Sequence, residues 1–258
     1  MNRSYLSSRL LTSIFVGFAA TFGSTVLGQP KVPSDHLSWE TATAEMRSSG
    51  IAMRRDGMKL HLQLDKELSR FEIPRFYAAL RDIVWEDGDP SSIKLTPEQE
   101  TWRIECQRES TQGKTMVLDF GSPPLLSSEV EPVSSQTDGS YYLPACMATT
   151  AGEKVRFEPQ SYKNTVGYWV GKQDSATWTV NIEEPGKFNL SILQGCGKGQ
   201  GGSMATMKFL PGKGINPRAI SEMRFKALET GHFQNFQWRY LGEVELPKGV
   251  IKVQVAPK

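Results

Sequence analysis

Apolar residues recurring at every second position, broken by Asp-Gly and Pro-Gly turns, constrain this chain more than any other feature. After the Asp56-Gly57 pair, Met58, Leu60, Leu62 and Leu64 alternate with Lys59, His61 and Gln63. Successive side chains of a strand point to opposite faces, so this pattern describes a half-buried strand entered through a tight hairpin. Trp102, Ile104 and Cys106 repeat it, as do Met116, Leu118 and Phe120. Further on, Trp178, Val180 and Ile182 lead into Glu184-Pro185-Gly186, and Phe188, Leu190 and Ile192 follow. Ala205, Met207 and Phe209 alternate, then Phe236, Trp238 and Tyr240. After Pro247-Lys248-Gly249 come Ile251, Val253 and Val255. Two segments read as short helices: residues 38–47, entered at Ser38, and the Phe76, Tyr77, Leu80, Ile83, Val84 set with its helix-like spacing. The rest predicts an all-β protein of two antiparallel β-sandwich modules.

The N-terminus has the order of an export leader. Arg3 and Arg9 flank a polar start, residues 10–20 form a compact apolar run, and Val26 and Gly28 precede Gln29 at a cleavage position. The run is too short to span a bilayer, and no other segment is apolar enough. The expected location is therefore secreted or periplasmic, with residues 1–28 removed. Without Arg3 and Arg9 the formal charge of +2 falls to zero, which gives no footprint for nucleic acid or an acidic membrane. Prolines and serines gather between Gly121 and Gly139. That shift divides the chain into a sandwich over residues 46–120, a linker over 121–140 and a second module over 141–258. Of the three cysteines, Cys146 and Cys196 are the only pair inside the second module and the candidate disulfide, while Cys106 alternates with core residues.

The second half carries a resemblance. Leu143-Pro144-Ala145, Gly167-Tyr168-Trp169, the run ATWTVNIEEPGKFNLSILQGCGKGQGGS and the ending ETGHFQNFQWRYLGEVELPKGVIKVQV appear in that order. In this respect residues 141–258 resemble the carbohydrate-binding modules of families six and thirty-five, and especially those attached to secreted bacterial sulfatases and fucosidases. The resemblance implies a jelly roll of galactose-binding type. Residues 46–120, through RRDGMKLHLQL, FEIPRF and the late LDF strand, resemble the β-sandwich that closes the C-terminus of α-L-fucosidases. The catalytic barrel of those enzymes has no counterpart here. Where the sugar-binding families carry an acidic stretch that helps hold calcium, this chain has Leu143-Pro144-Ala145-Cys146. A structural calcium would have to draw on Asp174 and Glu153, and no cofactor is expected.

Sugar recognition needs flat aromatic faces, with polar side chains beside them to read hydroxyls. The candidates are Tyr168, Trp169, Phe233 and Trp238, with Asn164, Gln234 and Asn235 as hydroxyl readers. Trp169 is the first choice for an exposed platform because it follows a polar loop. Trp178 alternates with Val180 and Ile182 and is assigned to the core. Trp238 stands between the two roles, since it alternates with Phe236 and Tyr240. The glycines from Gly197 to Gly202 match G-x-G-x-x-G formally, but a strand-like SMATMKF follows where a dinucleotide site needs a helix. His36, His61 and His232 are dispersed, no H-E-x-x-H or G-x-S-x-G occurs, and Glu183 and Glu184 adjoin a turn. The expected function is non-catalytic binding of a polysaccharide or glycan. A structural or protein-docking role in the envelope, or an accessory role beside a fucosidase or sulfatase, stays open.

Overall fold

The computed structural model describes residues 37–214 and 218–258, together with the backbone of Arg9–Phe18. The expected leader cleavage at Gly28 lies outside the described residues. In chain order the strands are β1 (Arg9–Phe18), β2 (Ile51–Asp56), β3 (Lys59–Leu64), β4 (Arg70–Pro74), β5 (Leu80–Trp85), β6 (Ile93–Pro97), β7 (Thr101–Cys106) and β8 (Thr115–Phe120). They continue as β9 (Tyr141–Leu143), β10 (Thr149–Ala151), β11 (Arg156–Glu158), β12 (Thr165–Gly167), β13 (Ser175–Ile182) and β14 (Gly186–Cys196). The last are β15 (Met204–Pro211), β16 (Ser221–Lys226), β17 (Gln237–Leu246) and β18 (Gly249–Pro257). One α-helix, α1 (Trp39–Ser48), precedes β2, and Ser38 caps it by accepting from the Thr41 N–H at 3.2 Å. The protein is nearly all β and built largely from antiparallel pairings, as the alternation predicts, with the parallel pairings of β1 as the exception.

The chain divides into two compact units. The first takes Gln29–Val130 and, beyond the expected boundary, Arg156–Thr165; the second takes Met1–Gly28, Glu131–Val155 and Val166–Lys258. The Pro/Ser-rich stretch is tied down at both ends. Leu126 is buried, and Glu129 is held by the Arg55 guanidinium at 2.9 Å within the first unit. Val133 exchanges backbone bonds of 2.9 Å with Thr179 and Asn181 in the second.

The first unit pairs β2-β3-β8-β5 in one sheet and β4-β7-β6 in another. Leu60, Leu62 and Leu64 meet Trp102, Ile104, Met116, Leu118 and Phe120 in its core. There the Trp102 and Phe120 rings stack at 6.2 Å, and Phe76 lies 6.0 Å from each. The helix expected through Phe76–Val84 is absent. Leu80–Trp85 is instead a strand with Ile83 opposite Leu118 and Val84 opposite Val117. Its β-branched and aromatic residues suit a pleated surface, and tertiary pairing overrides the local spacing.

The second unit packs β10-β13-β18-β15-β16, antiparallel throughout, against a sheet in which β14 lies between β17 and β1. β1 runs parallel to both β14 and β9. Trp178, Val180, Ile182, Phe188, Leu190, Ile192, Ala205, Met207, Phe209, Val253 and Val255 are all fully buried, so each alternating set faces the core as its period requires. All three cysteines are buried thiols, and the expected Cys146–Cys196 bridge does not form. Cys146 sits in the short 3-10 turn Ala145–Met147. Cys196 ends β14 with its Sγ turned to the Gly197 carbonyl at 3.8 Å.

Candidate functional site

Three exposed aromatics of the second unit, Phe233, Trp238 and Tyr240, lie where β14 and β17 meet. At the outer end of β17, Val244 and Leu246 face the core opposite Phe188 and Gly186. Strict alternation would send Gly242, Tyr240 and Trp238 to the same face. Between Leu190 and Ser191, however, the register shifts: Leu190 pairs with Gly242 and Ser191 with Tyr240, which leaves Leu241 as an extra residue. A β-bulge of this kind reverses the facing of everything beyond it. Gly242 permits the bulge because its φ is +138°, a conformation that side chains rarely tolerate. Trp238 and Tyr240 therefore point outward, 53% and 59% exposed. Two residues apart on one strand face, their Cα atoms are spaced roughly 6.5–7 Å along the strand.

Polar groups surround this pair. The Tyr240 hydroxyl donates to Asn189 Oδ1 at 3.3 Å, and Ser191 faces Tyr240 across the ladder. The Arg239 guanidinium donates to the Lys226 carbonyl, which holds the intervening residue to the edge of the sheet. Next to them, the loop from Thr230 to Asn235 is strapped to the end of β14. The Thr230 N–H donates to the Cys196 carbonyl at 2.9 Å, and the Thr230 hydroxyl accepts from the Cys196 N–H at 2.9 Å. Phe233 lies across this junction. A Cβ on Gly195 would come within 2.0 Å of the Phe233 carbonyl oxygen, and one on Gly197 within 2.9 Å of its ring. The glycines after the second-half cysteine thus let the Phe233 loop lie against β14. Glu229 pins the rest of that glycine-rich loop by accepting from the Gly199 N–H at 2.8 Å.

Of the residues singled out in the sequence, Phe233, Gln234, Asn235 and Trp238 come together in this region. Phe233 is 39% exposed, and Gln234 and Asn235 are exposed beside it. Trp169 does not present a platform: it is buried, and its indole N–H donates to the Val166 carbonyl at 2.9 Å. Tyr168 has a φ of +61°, and this left-handed turn sends Tyr168 outward and Trp169 inward. Asn164 falls in the first compact unit, with φ +41° and its Oδ1 buried. Tyr240 and Asn189 were not singled out, because Tyr240 continues the Phe236-Trp238 alternation and reads as a core residue.

The Asp174 carboxylate, named for calcium, is 1% exposed and bonded on both oxygens. Oδ1 accepts from the Glu153 N–H at 2.7 Å, and Oδ2 from Val170 and Gly171 at 2.7 and 2.8 Å. Its acceptor directions face N–H dipoles, an arrangement suited to tying loops together and unlike the oxygen cage of a calcium ion. Among the described residues no group of three or more His, Cys, Asp or Glu side chains is arranged to hold a metal. Among them, too, no helix is long and apolar enough to cross a membrane. Glu183, considered as a catalytic carboxylate, accepts from the Ser135 hydroxyl at 2.7 Å.

Comparison with protein-family models and with curated proteins finds no match. Similar solved structures include an α-L-fucosidase from Vibrio sp. strain EJY3, at 10% identity and TM-score 0.26, covering 80% of this chain and 35% of that one. The isomalto-dextranase of Arthrobacter globiformis T6 complexed with panose is 14% identical at TM-score 0.34, covering 77% of this chain and 32% of that one. An uncharacterized protein of Listeria monocytogenes EGD-e is 10% identical at TM-score 0.26, with 80% and 18% covered. The chain thus spans about a third or less of each of these proteins' lengths.

Proposed function

We propose that this is a secreted, non-catalytic glycan-binding protein, whose second unit is of carbohydrate-binding-module type and stacks sugar on Trp238 and Tyr240. The observation that carries the reading is the bulge at Leu241–Gly242, which turns two neighbouring aromatics of an otherwise core-facing strand out to solvent. Exposed aromatic faces side by side offer pyranose C–H groups a rigid apolar surface at low entropic cost. Asn189, Ser191, Gln234 and Asn235 supply donors and acceptors for hydroxyls at its margin. Export is supported by the basic start and the apolar run at residues 10–20.

A glycan array, followed by affinity measurement on the best ligand, tests the assignment. Removing a central aromatic anchor often costs about 2 kcal/mol, roughly thirtyfold in affinity. Trp238→Ala and Tyr240→Ala are each expected to lose that much while thermal unfolding stays unchanged. Trp169→Ala should instead lower the unfolding temperature. Unaltered sugar binding by Trp238→Ala would remove this site from consideration. Capture of a protein and no glycan would favour the docking role. N-terminal sequencing of exported material, expected to begin at Gln29, tests secretion.

A further inference from the structure

The outer face of the four-stranded sheet in the first unit carries a separate polar concavity. Register places Arg54 across from His61, and Gln63 across from both Ala52 and Thr115, so strands β2, β3 and β8 send these side chains to one side. Glu86, one residue past β5, and Arg47, in the last turn of α1, complete a groove of about 470 Å³. That volume lies within the range of small-molecule sites, in which a few convergent polar groups fix a ligand's orientation.

The groove contains hydrogen-bonding capacity that the fold does not use. His61 Nδ1 stands 3.1 Å from Glu86 Oε1. A carboxylate oxygen accepts, so Nδ1 carries the proton and donates. Nε2 is then left buried with no partner. A buried polar atom without a partner is uncommon and calls for a reason. The side chains of Gln63 and Thr115 also have no hydrogen-bond partner among the described residues, and Arg47 makes no ion pair there. Arg54 is held only loosely, by Asp56 at 3.5 Å with both groups largely exposed. Two guanidiniums line the groove together with an amide, a hydroxyl and the His61–Glu86 pair. The first set suits a cluster of anionic oxygens, because guanidinium groups bind carboxylate and sulfate oxygens in forked geometry. The second suits neutral hydroxyls.

We propose that this groove binds a hydroxylated organic anion, namely a sugar unit bearing a carboxylate or a sulfate ester. Arg47 and Arg54 hold the anionic group, while Gln63, Thr115 and the His61–Glu86 pair read the ring hydroxyls. The site is independent of the Trp238–Tyr240 platform and stands or falls without it.

Amide and side-chain NMR of the full chain, titrated separately with galacturonate, galactose 6-sulfate, galactose and sodium sulfate, tests the proposal. Signals of His61, Gln63 and Thr115 should move with one or both acidic sugars, and the two arms show which anionic group is preferred. Galactose should bind at least about tenfold more weakly, and raising the salt should weaken the acidic arm. Read from the His61 and Thr115 signals, the R47A/R54A variant should lose about tenfold or more and Gln63→Ala about fivefold. Gln63→Ala keeps the test open should the double variant fold poorly. Equal binding of galactose, equal shifts from inorganic sulfate alone, or undiminished affinity in both variants would overturn the proposal.

Discussion

Replacing Asp174 by alanine is the sharpest test of how the loops of the second unit are held. The carboxylate is 1% exposed and accepts three backbone N–H groups, from Glu153, Val170 and Gly171, at 2.7 to 2.8 Å. The approach is close: a Cβ on Gly152, whose φ is +133°, would lie 2.3 Å from Oδ1. Hydrogen bonds to a charged group contribute about 1.5–3 kcal/mol each, and burying the carboxylate offsets part of that gain. Three such bonds then leave about 3–6 kcal/mol to be lost in Asp174→Ala, since the N–H groups are stranded without an acceptor. At roughly 3 °C per kcal/mol for a unit of this size, the melting temperature should fall by about 10–20 °C. Asp174→Asn keeps the shape and one acceptor oxygen, so about half of the loss is expected. Differential scanning calorimetry of the full chain measures both, and Asp65→Ala, at an exposed position, serves as a control expected to stay within about 0.5 kcal/mol. An Asp174→Ala variant within about 1 kcal/mol of wild type would refute the reasoning, because water or backbone relaxation would then be satisfying the donors.

Deleting Leu241 removes the extra residue and leaves a regular ladder in which Gly242 still pairs with Leu190 and Tyr240 with Ser191, so Trp238 and Tyr240 should stay outward and glycan binding should persist; lost binding in a folded variant would count against this register. In the first unit, Arg108 holds the Asp87 carboxyl well below its usual range, and the Thr111 N–H lowers that of Glu67. Groups with depressed folded-state values contribute stability above the ordinary carboxylate range and lose it as pH falls through the lowered values. Stability should therefore be flat from neutral pH down to about pH 5 and decline below pH 4, a slope that Asp87→Asn should reduce. Burial pushes the Cys106 and Cys196 thiols up, with Glu67 and Glu229 adding to the shift, so alkylation of the native protein at pH 7 should be much slower than after unfolding.

Much of the fold was legible because it depends on local periodicity. Leu60, Leu62, Leu64, Trp178, Val180 and Ile182 alternate in sequence and are all buried in the structure, since a strand has only two faces and one of them is dry. Ser38 announced α1 because a cap acts on the residues just after it. The Trp169 assignment went astray, and Trp238 stood between two roles, because a single backbone dihedral or a single extra residue decided the facing. The left-handed Tyr168 turned Trp169 into the core, and Leu241 turned Trp238 and Tyr240 out of it. Alternation carries no mark of a bulge, because an inserted residue shows itself only against the strand it pairs with. The strand over Leu80–Trp85 was missed for a like reason: its identity rests on β8, which lies far along the chain. His61 likewise read as a solvated side chain on a polar face. Its meeting with Glu86, 25 residues away, was settled by the register of β3, β8 and β5, and register is a property of paired strands that neither strand carries alone.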